Sequence, residues 1–131
     1  VKSLVIAVDF DGTLCEYGFP DIGEQKEKHK ELLSLLLKLQ SEGHKLVLWT
    51  NRGDNEKYKS LTEAIEWCRQ RGLSFDAVNK NLPEKERAKL SGYSPKIIAD
   101  IYIDDLALSF GTADQMGTSL LHLRKLLSTT P

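Results

Sequence analysis

Residues 4–14, Leu4-Val5-Ile6-Ala7-Val8-Asp9-Phe10-Asp11-Gly12-Thr13-Leu14, restrict the fold more than any other stretch of the chain. Five consecutive apolar residues, rich in β-branched types and cut off by polar residues and Gly12, predict a strand buried on both faces, as in a parallel sheet. Ligands of open α/β sheets bind at the carboxyl ends of the strands, so Asp9 and Asp11 fall where chemistry is found. Gly12 lets the chain turn tightly there. Two carboxylates about 4 Å apart repel by roughly 4 kcal/mol at an effective dielectric near 20, so such a pair must be protonated, separated or neutralised by a cation. Mg²⁺ suits the pair, being held by one or two carboxylates, waters and substrate phosphate rather than by a full protein cage. Asp-x-Asp-Gly also opens simple turns and calcium loops. The calcium loop fails on Thr13, Cys15 and Tyr17, where further oxygen ligands would be needed.

A length of 131 residues suits one domain, residues 1–131, large enough to bury a proper core. A formal net charge of −1 gives no general attraction to nucleic acid or anionic membrane, so an anionic substrate has to be held locally. Two cysteines, Cys15 and Cys68, form neither a disulfide framework nor a zinc pattern and suggest a reducing compartment. No apolar run approaches the ~18 residues of a membrane helix, and the first is too short for a signal peptide. The expected location is the cytoplasm.

Along the chain, Cys15 to Gly23 is broken by glycine and proline and carries Tyr17 and Phe19, the composition of a flap beside the acidic pair. Glu24 to Glu42 predicts a helix, with Leu32, Leu35, Leu36 and Leu39 at helical spacing and Gly43 as terminator. Lys45 to Gly53 repeats the pattern of an apolar strand ending in polar residues, here Thr50-Asn51-Arg52. Glu56 to Arg71 predicts a second helix, Phe75 to Val78 a short strand, and Pro83 to Leu90 a turn of helix. Pro95 to Asp105 predicts a fourth strand ending in the pair Asp104-Asp105. Thr112 to Ser128 predicts a closing helix that packs through Leu120, Leu121, Leu123, Leu126 and Leu127. Strands alternating with helices give an α/β fold with a doubly wound, Rossmann-like parallel sheet.

Such a sheet brings Asp9, Asp11, Thr50, Asn51, Asp104 and Asp105 to one edge. Four carboxylates without histidine favour a hard, oxygen-ligated cation over zinc. Thr50 and the backbone donors after it can hold a phosphoryl oxygen, and a lysine can neutralise another. Lys96 and Lys80 are the candidates. Arg52 fits a ligand for substrate phosphate or carboxylate, or an ion pair at the surface. His29, His44 and His122 show no ligand spacing.

These motifs resemble the haloacid dehalogenase superfamily of aspartate-nucleophile phosphotransferases. Asp9-Phe10-Asp11-Gly12-Thr13-Leu14 is similar to its first motif, Leu48-Trp49-Thr50-Asn51 to its second, Lys96 to its third and Ile103-Asp104-Asp105 to its fourth. The resemblance implies a Mg²⁺-dependent phosphatase acting through a phosphoaspartyl intermediate. It makes Asp9 the nucleophile and Asp11 the general acid and base, with Thr50 and Lys96 on the phosphoryl group. It also implies Mg²⁺ on the Asp9 carboxylate, the Asp11 carbonyl and Asp104, with Asp105 binding directly or through water.

Two other classes compete. A receiver-like signalling domain accepts a phosphoryl group on a similar acidic cluster, but it resembles the order acidic pair, lone aspartate, threonine, lysine, which this chain does not follow. A catalytically weak module would only bind phosphorylated ligands. Members of the resembled superfamily usually insert a cap domain after the first motif or before the lysine; here Cys15 to Gly23 and Asn79 to Pro95 are too short for one. The expected site is therefore open. It accepts a large phosphorylated partner, or a second subunit of a homo-oligomer covers it. Nucleic acid is disfavoured as a default by the lack of a basic tract, and a small phosphorylated metabolite is slightly preferred.

Overall fold

Val5–Val8 forms β1, and all four of its residues are buried, as its unbroken apolar run requires. In this computed structural model, which describes residues 2–89 and 92–128, the other elements follow in order. They are α1 (Glu27–Ser41), β2 (Lys45–Leu48), α2 (Ser60–Gln70), β3 (Ala77–Val78), α3 (Pro83–Arg87), β4 (Ile101–Ile103) and α4 (Ala113–Ser128). The four strands form one sheet in the order β3-β2-β1-β4, and every pairing is parallel. Ala7 lies between Val47 on one side and Tyr102 on the other. After β1 the chain steps outward through β2 and β3, then crosses to the far side of β1 for β4. That reversal opens a crevice between the carboxyl ends of β1 and β4, the place where open α/β sheets bind ligands.

Alternation along the strands divides the core between two faces. Ile6, Val8, Leu46 and Leu48 pack against Leu33 and Leu36 of α1 and Ala64 and Cys68 of α2. Phe10 closes this layer, its ring meeting Trp67 edge to face at 5.4 Å. On the other face Val5, Ala7, Val47 and Ala77 are covered by Leu82 and Ile97. At the amino edge two aspartates extend the ladders: Val5 N–H donates to Asp100 Oδ2 at 2.8 Å, and Leu46 N–H to Asp76 Oδ2 at 2.9 Å.

Several element limits differ from the sequence expectation, each for a local reason. Helix α1 starts at Glu27 rather than Glu24, because Glu16 N–H donates to Glu24 O and Glu16 pairs with Lys26 at 2.9 Å, holding residues 24–26 against the flap. His29 then caps the helix, its Nδ1 accepting the Lys26 N–H. Helix α2 starts at Ser60 rather than Glu56: Asn55 Oδ1 accepts from Lys57 N–H and Tyr58 N–H in a turn, and Asp54 Oδ1 accepts from Leu61 N–H and Thr62 N–H. The short helix after β3 ends at Arg87, and Leu90 lies outside the described residues. Strand β4 covers only three residues of the predicted run, because Ile97 leaves the strand path to fill the second core face.

The closing helix forms where expected, but its apolar stripe does not pack as expected. Leu120, Leu121, Leu123 and Leu127 are all exposed, and among the described residues of α4 only Ser119 is buried. The second sheet face is covered by α3's flank and Ile97 instead. Among the described residues no cap domain stands at either insertion point; the two segments hold the flap and the five-residue α3. No described helix is long and apolar enough to cross a membrane.

Candidate acidic site at the carboxyl edge of the sheet

Asp9 follows the last residue of β1, and its N–H donates to Ile103 O at 2.9 Å, which fixes it beside the end of β4. One more residue along each path brings Asp104 and Asp105 into place. Carboxylate oxygens of Asp9, Asp104 and Asp105 lie within 4.8 Å of one another. Burial first, and then the charges of Asp104 and Asp105, push the Asp9 carboxyl up from 3.8 to about 6, although a hydrogen bond from the Phe10 backbone opposes them. Three hard oxygen donors that repel one another are a fit donor set for a small divalent cation such as Mg²⁺.

Thr13 ties the two loops together. Its Oγ1 accepts Asp105 N–H at 3.2 Å and lies 3.4 Å from Asp9 Oδ2 and 3.5 Å from Asp105 Oδ1. Gly12 makes the approach feasible: its φ is +82°, and a Cβ there would come within 2.2 Å of Asp105 Oδ2.

Asp11 is turned away from this cluster towards Arg52. Arg52 Nε donates to Asp11 Oδ2 and Nη2 to Asp11 Oδ1, both at 2.8 Å. The remaining donors reach Pro20 O and Ser60 O from Nη1, each at 3.1 Å, and Asp21 O from Nη2 at 2.8 Å. All five guanidinium N–H groups are thereby used. Arg52 is 2% exposed, with its Cζ 5.0 Å from the Phe10 ring and 5.3 Å from the Phe19 ring. Burial lowers its pKa, but the Asp11 partner outweighs that and the net shift is upward. Arg52 thus forms a buried ion pair rather than a surface one, and it also lines the cavity over the acidic cluster. With all its donors used, it joins Asp11, the flap and the start of α2. Asp11 consequently brings no carboxylate to the acidic cluster, and its backbone carbonyl is what it can offer a cation.

A cavity of about 540 Å³ opens over the cluster, lined by Asp9, Asp11, Thr50, Asn51, Arg52 and Asp105 with Tyr17 and Phe19 of the flap on its rim. Thr50 is held by its own N–H, which donates to Asn79 Oδ1 at 2.8 Å, while its Oγ1 accepts Arg52 N–H at 3.1 Å. Thr50 lines the cavity together with Asp9. Asn79, at φ 54°, also reaches Arg52 O through Nδ2 at 3.4 Å and so braces the whole loop after β2. Neither lysine candidate reaches this cavity. Lys96 lines a neighbouring groove that meets the cluster only at Asp104, and its Nζ sits 5.7 Å from the Tyr102 ring. Lys80 lines a separate pocket with Asn81 and Pro83. Lys96 stands at the amino side of β4, five residues before the strand begins, and does not line the cavity with Asp9 in this structure. Cys15 and Cys68 are free and buried in the core.

Thr13, Asn79 and the donor-saturated role of Arg52 were missed by sequence reasoning. Thr13 stands inside the first motif, which was a signal; nothing in the sequence marks the partners of Asn79 and Arg52.

The fold and site define an α/β protein with a parallel sheet and an acidic cluster at its topological switch point. The chain is similar to a conserved protein coded by a locus of Bacteroides thetaiotaomicron, with 43% identity over 95% of this chain and 93% of that one, and a TM-score of 0.63. It belongs to the same family as that protein. No protein-family model matches the chain, and no curated protein matches it.

Proposed function

We propose that the protein is a Mg²⁺-dependent phosphomonoester hydrolase of the haloacid dehalogenase kind, with Asp9 as nucleophile. The observation that carries this is the convergence of Asp9 with Asp104 and Asp105 at the crevice between β1 and β4, while Asp11 stands two residues on in the same cavity wall. Asp9 Oδ attacks phosphorus, the ester P–O bond breaks, and an acyl phosphate forms on Asp9. Asp11 gives the leaving alkoxide its proton and then takes one from the water that attacks phosphorus, releasing phosphate and restoring Asp9. The bidentate Arg52 pair favours the Asp11 carboxylate, so Asp11 has to turn from the guanidinium to carry this proton between the leaving group and the attacking water. Thr50 Oγ1 donates to a phosphoryl oxygen. Asp9, Asp104, Asp105 and the Asp11 carbonyl would hold Mg²⁺, which supplies charge neutralisation at the phosphoryl oxygens.

The open cavity with aromatic residues on its rim suits a small phosphorylated metabolite, the preferred substrate class. A panel of phosphorylated metabolites and end-phosphorylated oligonucleotides, assayed for phosphate release with Mg²⁺ and with chelator, tests this. Release from small phosphoesters that chelator abolishes is expected; no release from any of them, or release indifferent to chelator, would refute it. A phospho-ligand-binding module is the second reading, favoured by one observation: no described lysine lines the cavity. Tight phosphate-ester binding without turnover would select it.

A further inference from the structure

The chain leaves two complementary apolar surfaces open. One is the stripe of α4, where Leu120, Leu121, Leu123 and Leu127 are between 38% and 77% exposed. The helix's described side-chain bonds to the preceding loop both run to Ser109: Ser119 Oγ donates to Ser109 O at 2.6 Å, and Gln115 Oε1 accepts from Ser109 Oγ at 2.9 Å. The other is a groove of about 790 Å³ beside β4, the edge strand, with an apolar wall of Trp49, Ile101, Leu108 and Phe110, Lys96 and Asp104 on its polar side, and Gln115 of α4's first turn at one end. An uncovered edge strand with apolar side chains is a surface that folded proteins usually protect.

The area involved points to what covers them. The chain exposes 9095 Å², whereas a compact monomer of its mass exposes about 7,000 Å². The excess of about 2,000 Å² per chain exceeds the ~800 Å² that each partner buries in a standard interface and falls in the obligate-homodimer range. A second copy supplies both missing halves in one two-fold operation: its helix for this groove, and its groove for this helix. A net charge of only −1 sets up little repulsion between copies.

We propose that the protein is a two-fold homodimer in which α4 of each protomer lies in the β4 groove of its partner. Light scattering on the full chain at micromolar concentration is expected to give twice the 14.8 kDa chain mass. The double variant Leu120→Lys, Leu123→Lys is expected to give the single-chain mass with its sheet intact by circular dichroism. Hydrogen exchange on the unmodified protein makes the test independent of that variant's folding: α4 amides should lose protection on dilution in step with the dimer fraction. A monomer whose α4 is protected at every dilution would place the helix on its own sheet and overturn the proposal. So would a monomer with α4 unprotected throughout, which would leave the stripe to another protein, or a dimer that persists in the double variant.

Discussion

Arg52 is a side chain whose importance is legible from its place in the sequence while its partners are not. Its place after Thr50 suggested a substrate ligand, yet its five donors are spent on Asp11, Pro20, Asp21 and Ser60. Removing one partner of a buried pair leaves the other uncompensated, so Arg52→Met is expected to cost about 3–5 kcal/mol in urea unfolding. A loss below about 1 kcal/mol would show that the pair is not structural. Gly12 is constrained from two sides, by its positive φ and by the Asp105 carboxylate beside it. Gly12→Ala should displace Asp105 and weaken Mg²⁺ binding as measured by calorimetry, and unchanged affinity would contradict the placement of Asp105 in the cation site.

At the scale of elements, β1 was legible because its run of apolar residues admits only a strand buried on both faces. The acidic cluster was legible for the same reason, since parallel strands deliver whatever follows them to one edge. The limits of α1 and α2 were not, because long-range bonds decide them: Glu16 reaches Lys26 and Glu24, and Asp54 reaches across seven residues to Leu61. The apolar stripe of α4 was legible as a stripe, but periodicity does not say which surface it meets. The start of β4 was hidden because Ile97 and Ile101 look alike in sequence, while one fills the second core face and the other pairs with Ile6. That difference puts Lys96 outside the cavity. Lys96→Met should accordingly keep phosphate release within a few-fold of the unmodified protein, and a loss of a hundred-fold or more would return Lys96 to the phosphoryl group.

For the whole molecule, the raised Asp9 pKa links the site to stability. Asp9 titrates near 6 when folded against 3.8 as a free side chain, so the folded state holds its proton more tightly. The stability this contributes is fully present below about pH 4 and is lost as pH rises through about 6. Without divalent cations, melting temperature should therefore fall over that interval by more in the unmodified protein than in Asp9→Asn. Mg²⁺ selects the ionised carboxylate, so the melting-temperature gain it gives should be larger at pH 7.5 than at pH 5; an equal or larger gain at pH 5 would contradict the cation site. The central claim is that Asp9 becomes phosphorylated during turnover. Acid-quenched mass spectrometry of the protein incubated with Mg²⁺ and a hydrolysed phosphomonoester tests it most directly. One phosphoryl group on the peptide carrying Asp9, absent in Asp9→Asn together with phosphate release, is the expected result. Undiminished phosphate release by Asp9→Asn, or a phosphoryl group on another residue, would contradict it.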